Sequence, residues 1–300
     1  MIPKTIHYCW LSNDPIPTDL QECIKSWKRH MPDWNIKLWN TISFDVHSSP
    51  FVEQAYNARK WAFAADYIRV YALYTEGVIY LDSDVFVRKN MDFVLNNRAF
   101  SAVEYFPQHA EPVYQSGRVD SEGNKRTPSD KIHGIQIQAA ILGSEKGHPF
   151  FKDCLDYYNA ATFKMGADGI PEECDISPIV LAGIAEKYGF KYLDIEQQLD
   201  EGFKLYPSNI FSPQPWLMKK ESVAVHCCKA SWRQTQRPIE RAIYNTKVYV
   251  KRVLKRIGLW RETGIDAMKP QQWLSPPDIP SEGRSWMPEP RMMESTCCYP

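Results

Sequence analysis

The run Val78-Ile79-Tyr80-Leu81-Asp82-Ser83-Asp84-Val85-Phe86-Val87 restricts the fold of this chain more than any other stretch. Apolar, β-branched and aromatic residues in sequence read as a buried strand, and two carboxylates sit in the middle of it. Residues i and i+2 of a strand share a face, so Asp82 and Asp84 are expected to project together while Ser83 points away. Two buried carboxylates without a partner are costly, so something positive is expected beside them. A divalent cation carrying a diphosphate answers that need, because Mg²⁺ and Mn²⁺ take hard oxygen ligands and share them with phosphates. The competing reading ends the strand at Asp82 and makes Asp84 a turn residue.

The flanking sequence supports an α/β chain. Residues 4–10 read as a first strand, and Leu20, Ile24, Trp27 and Met31 form the apolar stripe of a helix stopped by Pro32. Residues 35–39 read as a second short strand, and residues 59–76 as a strong helix ending at Gly77. This alternation predicts a mainly parallel sheet of the nucleotide-binding type. Strands are also expected at 100–105, 135–142 and 223–227, with helices near 150–162 and 177–188. Residues 106–134 have little periodicity and read as a long loop, a type of segment that is usually a lid or binding loop.

Composition excludes several classes. Hydrophobic residues at 44% and charged residues at 24% describe a globular chain. The formal net charge is zero, yet residues 229–262 carry 10 basic against 2 acidic side chains. Within that stretch, residues 238–258 place Ile239, Ile243, Val250, Val253 and Ile257 on an apolar stripe flanked by Lys and Arg. Such a basic amphipathic helix is either a solvated face or a surface for anionic membrane. Nucleic acid is discounted as a partner, since no nucleic-acid-binding pattern accompanies the basic residues. Residues 270–300 hold 7 of the 22 prolines and read as a disordered tail. The N-terminus lacks the pattern of a signal peptide, and no apolar run reaches the ~18 residues of a membrane span. The eight cysteines show no Cys-x-x-Cys pairing, which suggests reduced thiols and a cytoplasmic location.

Asp66 and Arg69 stand at i, i+3 and share a helix face. An exposed pair of that kind is worth only ~0–1 kcal/mol. Here Trp61, Phe63, Ala64, Ala65, Ile68 and Val70 surround it, so a ligand-directed pair is the stronger reading.

Several ordered blocks resemble glycosyltransferase family 32, the sugar transferases with a DXD motif. They are Ile2-Pro3-Lys4-Thr5-Ile6-His7-Tyr8-Cys9-Trp10, the helix Lys60 through Leu73 with its Asp66-x-x-Arg69, and the strand bearing Asp82-Ser83-Asp84. Residues 141–149, and His226 through Ser231-Trp232, resemble later blocks. The resemblance covers roughly residues 1–233. It implies a GT-A type catalytic domain there, a Rossmann-like mixed sheet flanked by helices, followed by a basic helical extension at 234–262 and a Pro-rich tail at 263–300.

The resemblance further implies a nucleotide-sugar donor, with a UDP-hexose favoured, Mn²⁺ or Mg²⁺ as cofactor, and retention of anomeric configuration. The acceptor it implies is a capsular-type polysaccharide or lipid-linked oligosaccharide at the inner face of the cytoplasmic membrane. By the same resemblance Asp84, Asp82 and His226 hold the metal, and Asp66 and Arg69 contact donor-sugar hydroxyls and phosphate. Trp10 stacks on the base, with Ser83 beside the donor. Ser231 and Trp232 close over the diphosphate, although Cys227-Cys228-Lys229-Ala230 stands where relatives more often carry a glycine. No general base stands out; Glu104 and Asp175 are the candidates.

Two rival readings compete with this one. A catalytically silent nucleotide-sugar- or carbohydrate-binding module would be favoured by an altered Asp82/Asp84 pair, and both are intact. A nucleotidyltransferase would need a Gly-rich basic phosphate loop after the first strand, and residues 11–19 contain neither glycine nor a basic residue.

Overall fold

The computed structural model describes residues 1–12, 14–166, 171–172 and 174–228 of the chain. Ser231, Trp232, the 234–262 extension and the 263–300 tail lie outside the described residues.

Strand β1 (Thr5–Cys9) is almost wholly buried. Helix α1 (Thr18–His30) turns Leu20, Cys23 and Trp27 inward at helical spacing and returns the chain to β2 (Asn35–Trp39). This strand pairs parallel to β1, with Thr5 opposite Asn35. Helices α2 (Pro50–Asn57) and α3 (Trp61–Thr75) cross to β3 (Ile79–Leu81), which pairs parallel to β1 on its other edge, Ile6 opposite Ile79. Helix α2 was not expected from sequence; it buries Phe51, Val52 and Ala55 in only two turns.

Gly77 joins α3 to β3 at φ +68°, and a Cβ there would lie 2.2 Å from the Lys146 backbone nitrogen. Both the dihedral and the close approach require glycine.

The expected single strand 78–87 is two strands. β3 ends at Leu81, and the Val85 N–H donates to the Asp82 carbonyl at 2.9 Å, closing a tight turn before β4 (Val85–Val87). The chain continues through β5 (Ala99–Tyr105), α4 (Pro107–Gln115), β6 (Ile135–Ile137), β7 (Ile141–Ser144) and α5 (Pro149–Ala160). Helix α4 falls inside the segment expected to be loop, its pattern obscured by Pro107 at the first turn and Pro112 within it. Then come β8 (Lys164–Met165), β9 (Pro171–Glu172), α6 (Ser177–Ala185), β10 (Gln197–Gln198), β11 (Phe203–Tyr206), β12 (Phe211–Ser212) and β13 (Ala224–His226).

The main sheet runs β10-β11-β5-β7-β3-β1-β2, with β6 also paired to β5. It is mixed, as the resemblance implied, rather than mainly parallel, as the early alternation suggested. β7 lies antiparallel between β3 and β5. The parallel pairs β1–β2 and β1–β3 are each joined through helices, whereas β5, β6 and β7 pair antiparallel and need no return crossover. Ile79 and Leu81 face one core cluster and Tyr80 the other, so the sheet is buried on both faces between flanking helices.

Candidate active site

β4 belongs to a separate sheet, ordered β12-β13-β4. In it His226 stands opposite Val85, and the Cys227 N–H donates to the Asp84 carbonyl at 3.0 Å. The other edge of β4 is satisfied by side chains of α1. The Val87 N–H donates to Ser26 Oγ at 2.9 Å, and the buried Trp27 indole donates to the Val85 carbonyl at 2.7 Å. A three-residue strand is thus held on both edges, which fixes the turn in front of it.

That turn, rather than strand alternation, brings the two carboxylates together. Asp82, Asp84 and His226 offer one ligand atom each, all within 4.8 Å of one another. His226 Nε2 is 3.3 Å from Asp84 Oδ1. Burial disfavours charge on this imidazole, yet Cys228 and Asp84 raise it well above the usual histidine value. Two carboxylates and one imidazole form a donor set suited to Mn²⁺ or, with added waters, Mg²⁺. The residues present fit a divalent cation.

A second layer orders Asp82. Its N–H donates to the Ala140 carbonyl at 2.9 Å, and Arg69 Nη2 lies 3.2 Å from its Oδ1. The same Nη2 lies 3.0 Å from Asp66 Oδ1, while Nη1 donates to the Ala139 carbonyl at 2.7 Å. Arg69 therefore ties α3 to the turn and to the segment before β7. Desolvation pulls the guanidinium down, but Asp82 and Asp66 more than offset it and keep it charged. Asp66, buried on α3, is pushed up to about 7, chiefly by desolvation and against the pull of Arg69.

The remaining candidates are placed as follows. Ser83 is a central residue of the turn. Trp10 follows the end of β1, whose parallel neighbour β3 ends at Leu81, directly before Asp82. Its indole donates to the Asp14 carbonyl at 2.8 Å. Glu104, buried on β5, is raised to about 7 by desolvation and feels His226, Arg69 and Asp82. Asp175 is ion-paired with Lys131 at 2.8 Å.

Gln138 was not singled out from sequence. It is fully buried between β6 and β7, and neither its Nε2 nor its Oε1 has a hydrogen-bond partner among the described residues. The signal was available in the alternation Ile135-Gln136-Ile137-Gln138, where amides interrupt an apolar run. A buried amide with no partner costs about 1–3 kcal/mol, and it stands directly before the two carbonyls that hold Arg69 and Asp82.

Residues 17–101, which include Asp66, Arg69, Asp82 and Asp84, match the family model described as a glycosyltransferase sugar-binding region containing a DXD motif. Inositol phosphoceramide mannosyltransferase 3 of Schizosaccharomyces pombe is 28% identical over 153 residues, covering 50% of this chain and 35% of that protein. The chain thus spans about a third of that relative's length. Among solved structures, the glycosyltransferase PaToxG is similar with a TM-score of 0.40 and 16% identity over 62% of this chain and 69% of its own. The galactosyltransferase LgtC has a TM-score of 0.40 and 15% identity over 75% of this chain and 87% of its own. At these values the likenesses add nothing to the strand order described above. The chain carries a DXD-type glycosyltransferase region on a mixed α/β sheet.

Proposed function

We propose that this protein is a metal-dependent, retaining hexosyltransferase of the GT-A type. It takes its sugar from a nucleotide sugar and passes it to a polysaccharide or lipid-linked oligosaccharide. The observation that carries the reading is the convergence of Asp82, Asp84 and His226 within 4.8 Å, the two aspartates lying inside the segment 17–101 that matches a sugar-binding DXD region.

In this reading Asp82, Asp84 and His226 hold Mn²⁺ or Mg²⁺, which offsets the charge that builds on the departing diphosphate. Arg69 keeps Asp82 in position. Asp66 and Gln138 meet the hydroxyls of the transferred sugar, and Gln138 gains the partners it lacks among the described residues. Trp10 and Ser83 receive the nucleoside side of the donor. Ser231 and Trp232, outside the described residues, are assigned to the donor diphosphate by the resemblance alone. Glu104, with a pKa of about 7, is poised to accept a proton from the acceptor hydroxyl or to hold it by a hydrogen bond. A UDP-hexose is the preferred donor; GDP-mannose is the alternative to test, since the fission-yeast relative is a mannosyltransferase. The basic stripe at 238–258 supports a peripheral position at the inner face of the cytoplasmic membrane. No helix among the described residues is long and apolar enough to cross a membrane.

Purified protein is incubated with a panel of UDP- and GDP-sugars, with Mn²⁺ or EDTA, beside Asp84→Ala. Metal-dependent release of one nucleotide, lost in the variant, is the expected result. Tight donor binding without turnover, acceptors supplied, would favour a silent binding module. No metal-dependent binding of any nucleotide sugar would refute the reading.

A further inference from the structure

Cys228 makes two contacts that together determine the state of His226. Its Sγ lies 3.2 Å from the Pro213 carbonyl and 3.3 Å from His226 Nδ1. A carbonyl only accepts, so the single thiol hydrogen goes to Pro213. The sulfur can then meet Nδ1 only as an acceptor, which keeps a proton on Nδ1. Nε2 is then the nitrogen that can give up its proton and offer a lone pair to a cation, and Nε2 is the one that faces Asp84.

Cys228 achieves this at a cost in backbone strain. It sits at φ +45°, in the left-handed region, where a side chain with a Cβ is disfavoured and glycine is at ease. Packing alone would be met there by glycine.

We propose that Cys228 is a positioning residue for the cation site, fixing the His226 ring and its tautomer so that Nε2 is presented beside Asp84. This rests on the reading of Asp82, Asp84 and His226 as cation ligands. The arrangement is the one metal-bound histidines commonly use, with the far ring nitrogen anchored by a hydrogen-bond acceptor. Here the acceptor is a thiol supplied two residues along the same chain.

The test is a cycle of Mn²⁺ affinities on the full chain, read by the electron paramagnetic resonance signal of the free ion. The variants are Cys228→Gly, Cys228→Ser, His226→Ala and His226→Ala/Cys228→Gly. Loss of an outer-shell partner of this kind costs about 10–100-fold in metal affinity. Cys228→Gly is therefore expected to weaken Mn²⁺ binding by that factor while melting at or above the wild-type temperature, since the strain is relieved. Cys228→Ser, which restores an acceptor, is expected to recover part of the loss. In the His226→Ala background the glycine substitution is expected to change nothing further. Equal losses with and without His226, or no loss in Cys228→Gly, would overturn the proposal while leaving the cation site standing. No effect of His226→Ala itself would overturn the site assignment and this proposal with it.

Discussion

Asp66 presents a conflict between stability and function that a single substitution resolves. Its carboxyl is buried on α3, and only one guanidinium nitrogen, shared with Asp82, faces it at 3.0 Å. Desolvation outweighs that pairing and lifts it from the ordinary 3.8 to about 7. The folded protein therefore holds this proton up to about pH 7, whereas the unfolded chain releases it near pH 3.8. The contribution to stability is complete below pH 3.8 and is lost as pH rises through 7. A rise from 3.8 to about 7 corresponds to about 4 kcal/mol by pH 8, taken as an upper bound. Asp66→Asn mimics the protonated carboxyl and removes the titration. Arg69 retains Asp82 as its counter-ion, so the variant does not strand a buried charge.

The assay is urea unfolding of both proteins in EDTA from pH 4 to pH 8, read as the difference in unfolding free energy. Titrations of groups that do not interact with Asp66 cancel in that difference. It should be near zero at pH 4 and grow to as much as 4 kcal/mol in favour of Asp66→Asn by pH 8, while turnover falls in the variant. A variant less stable than wild type at pH 8 would refute the reasoning, because attraction to Arg69 would then exceed the desolvation penalty.

Gly77→Ala should cost at least about 2 kcal/mol in chemical denaturation, from left-handed backbone plus the clash with Lys146; a loss under about 0.5 kcal/mol would contradict the geometry. His7 is buried, accepts from the Trp39 indole at 3.0 Å, and is lowered to about 4 chiefly by desolvation. Its contribution is present above pH 6.5 and is lost as pH falls towards 4, by up to about 3 kcal/mol, so His7→Asn should flatten the fall in melting temperature across that window. Unchanged acid sensitivity in the variant would count against the assignment. Free Mn²⁺ at a hundred times its dissociation constant should stabilise the protein by ~2.7 kcal/mol, an increment removed by EDTA and absent in Asp84→Ala; equal stabilisation of both proteins would mean the ion binds elsewhere.

The sequence disclosed the pieces of this site better than their geometry. Helix α3 was legible because its apolar residues are nearly continuous and Gly77 stops it, and the charged pair inside it stood out for the same reason. The run 78–87 was legible as buried strand, but an apolar run cannot reveal that it folds back on a tight turn. That depends on β13 and on Ser26 and Trp27, which lie far away in the chain. The direction of β7 was equally silent, since local residues do not distinguish parallel from antiparallel neighbours. Helix α4 was hidden by two prolines, and α2 by having only three buried side chains. Gln138 escaped notice because an unpaired amide is recognised only once its surroundings are known.

The pairing of β4 with β13 joins Asp84 to His226, residues separated by most of the described chain. A bond across so long a loop is slow to form and entropically expensive to close. The two aspartates sit two residues apart on one turn, but the His226 imidazole arrives only with the last described strand, which also secures one edge of β4. An ion gripped by all three residues would then act as a clasp. Its dwell time would report whether β13 is seated, and loss of that strand from its edge would release the ion before the main sheet is disturbed.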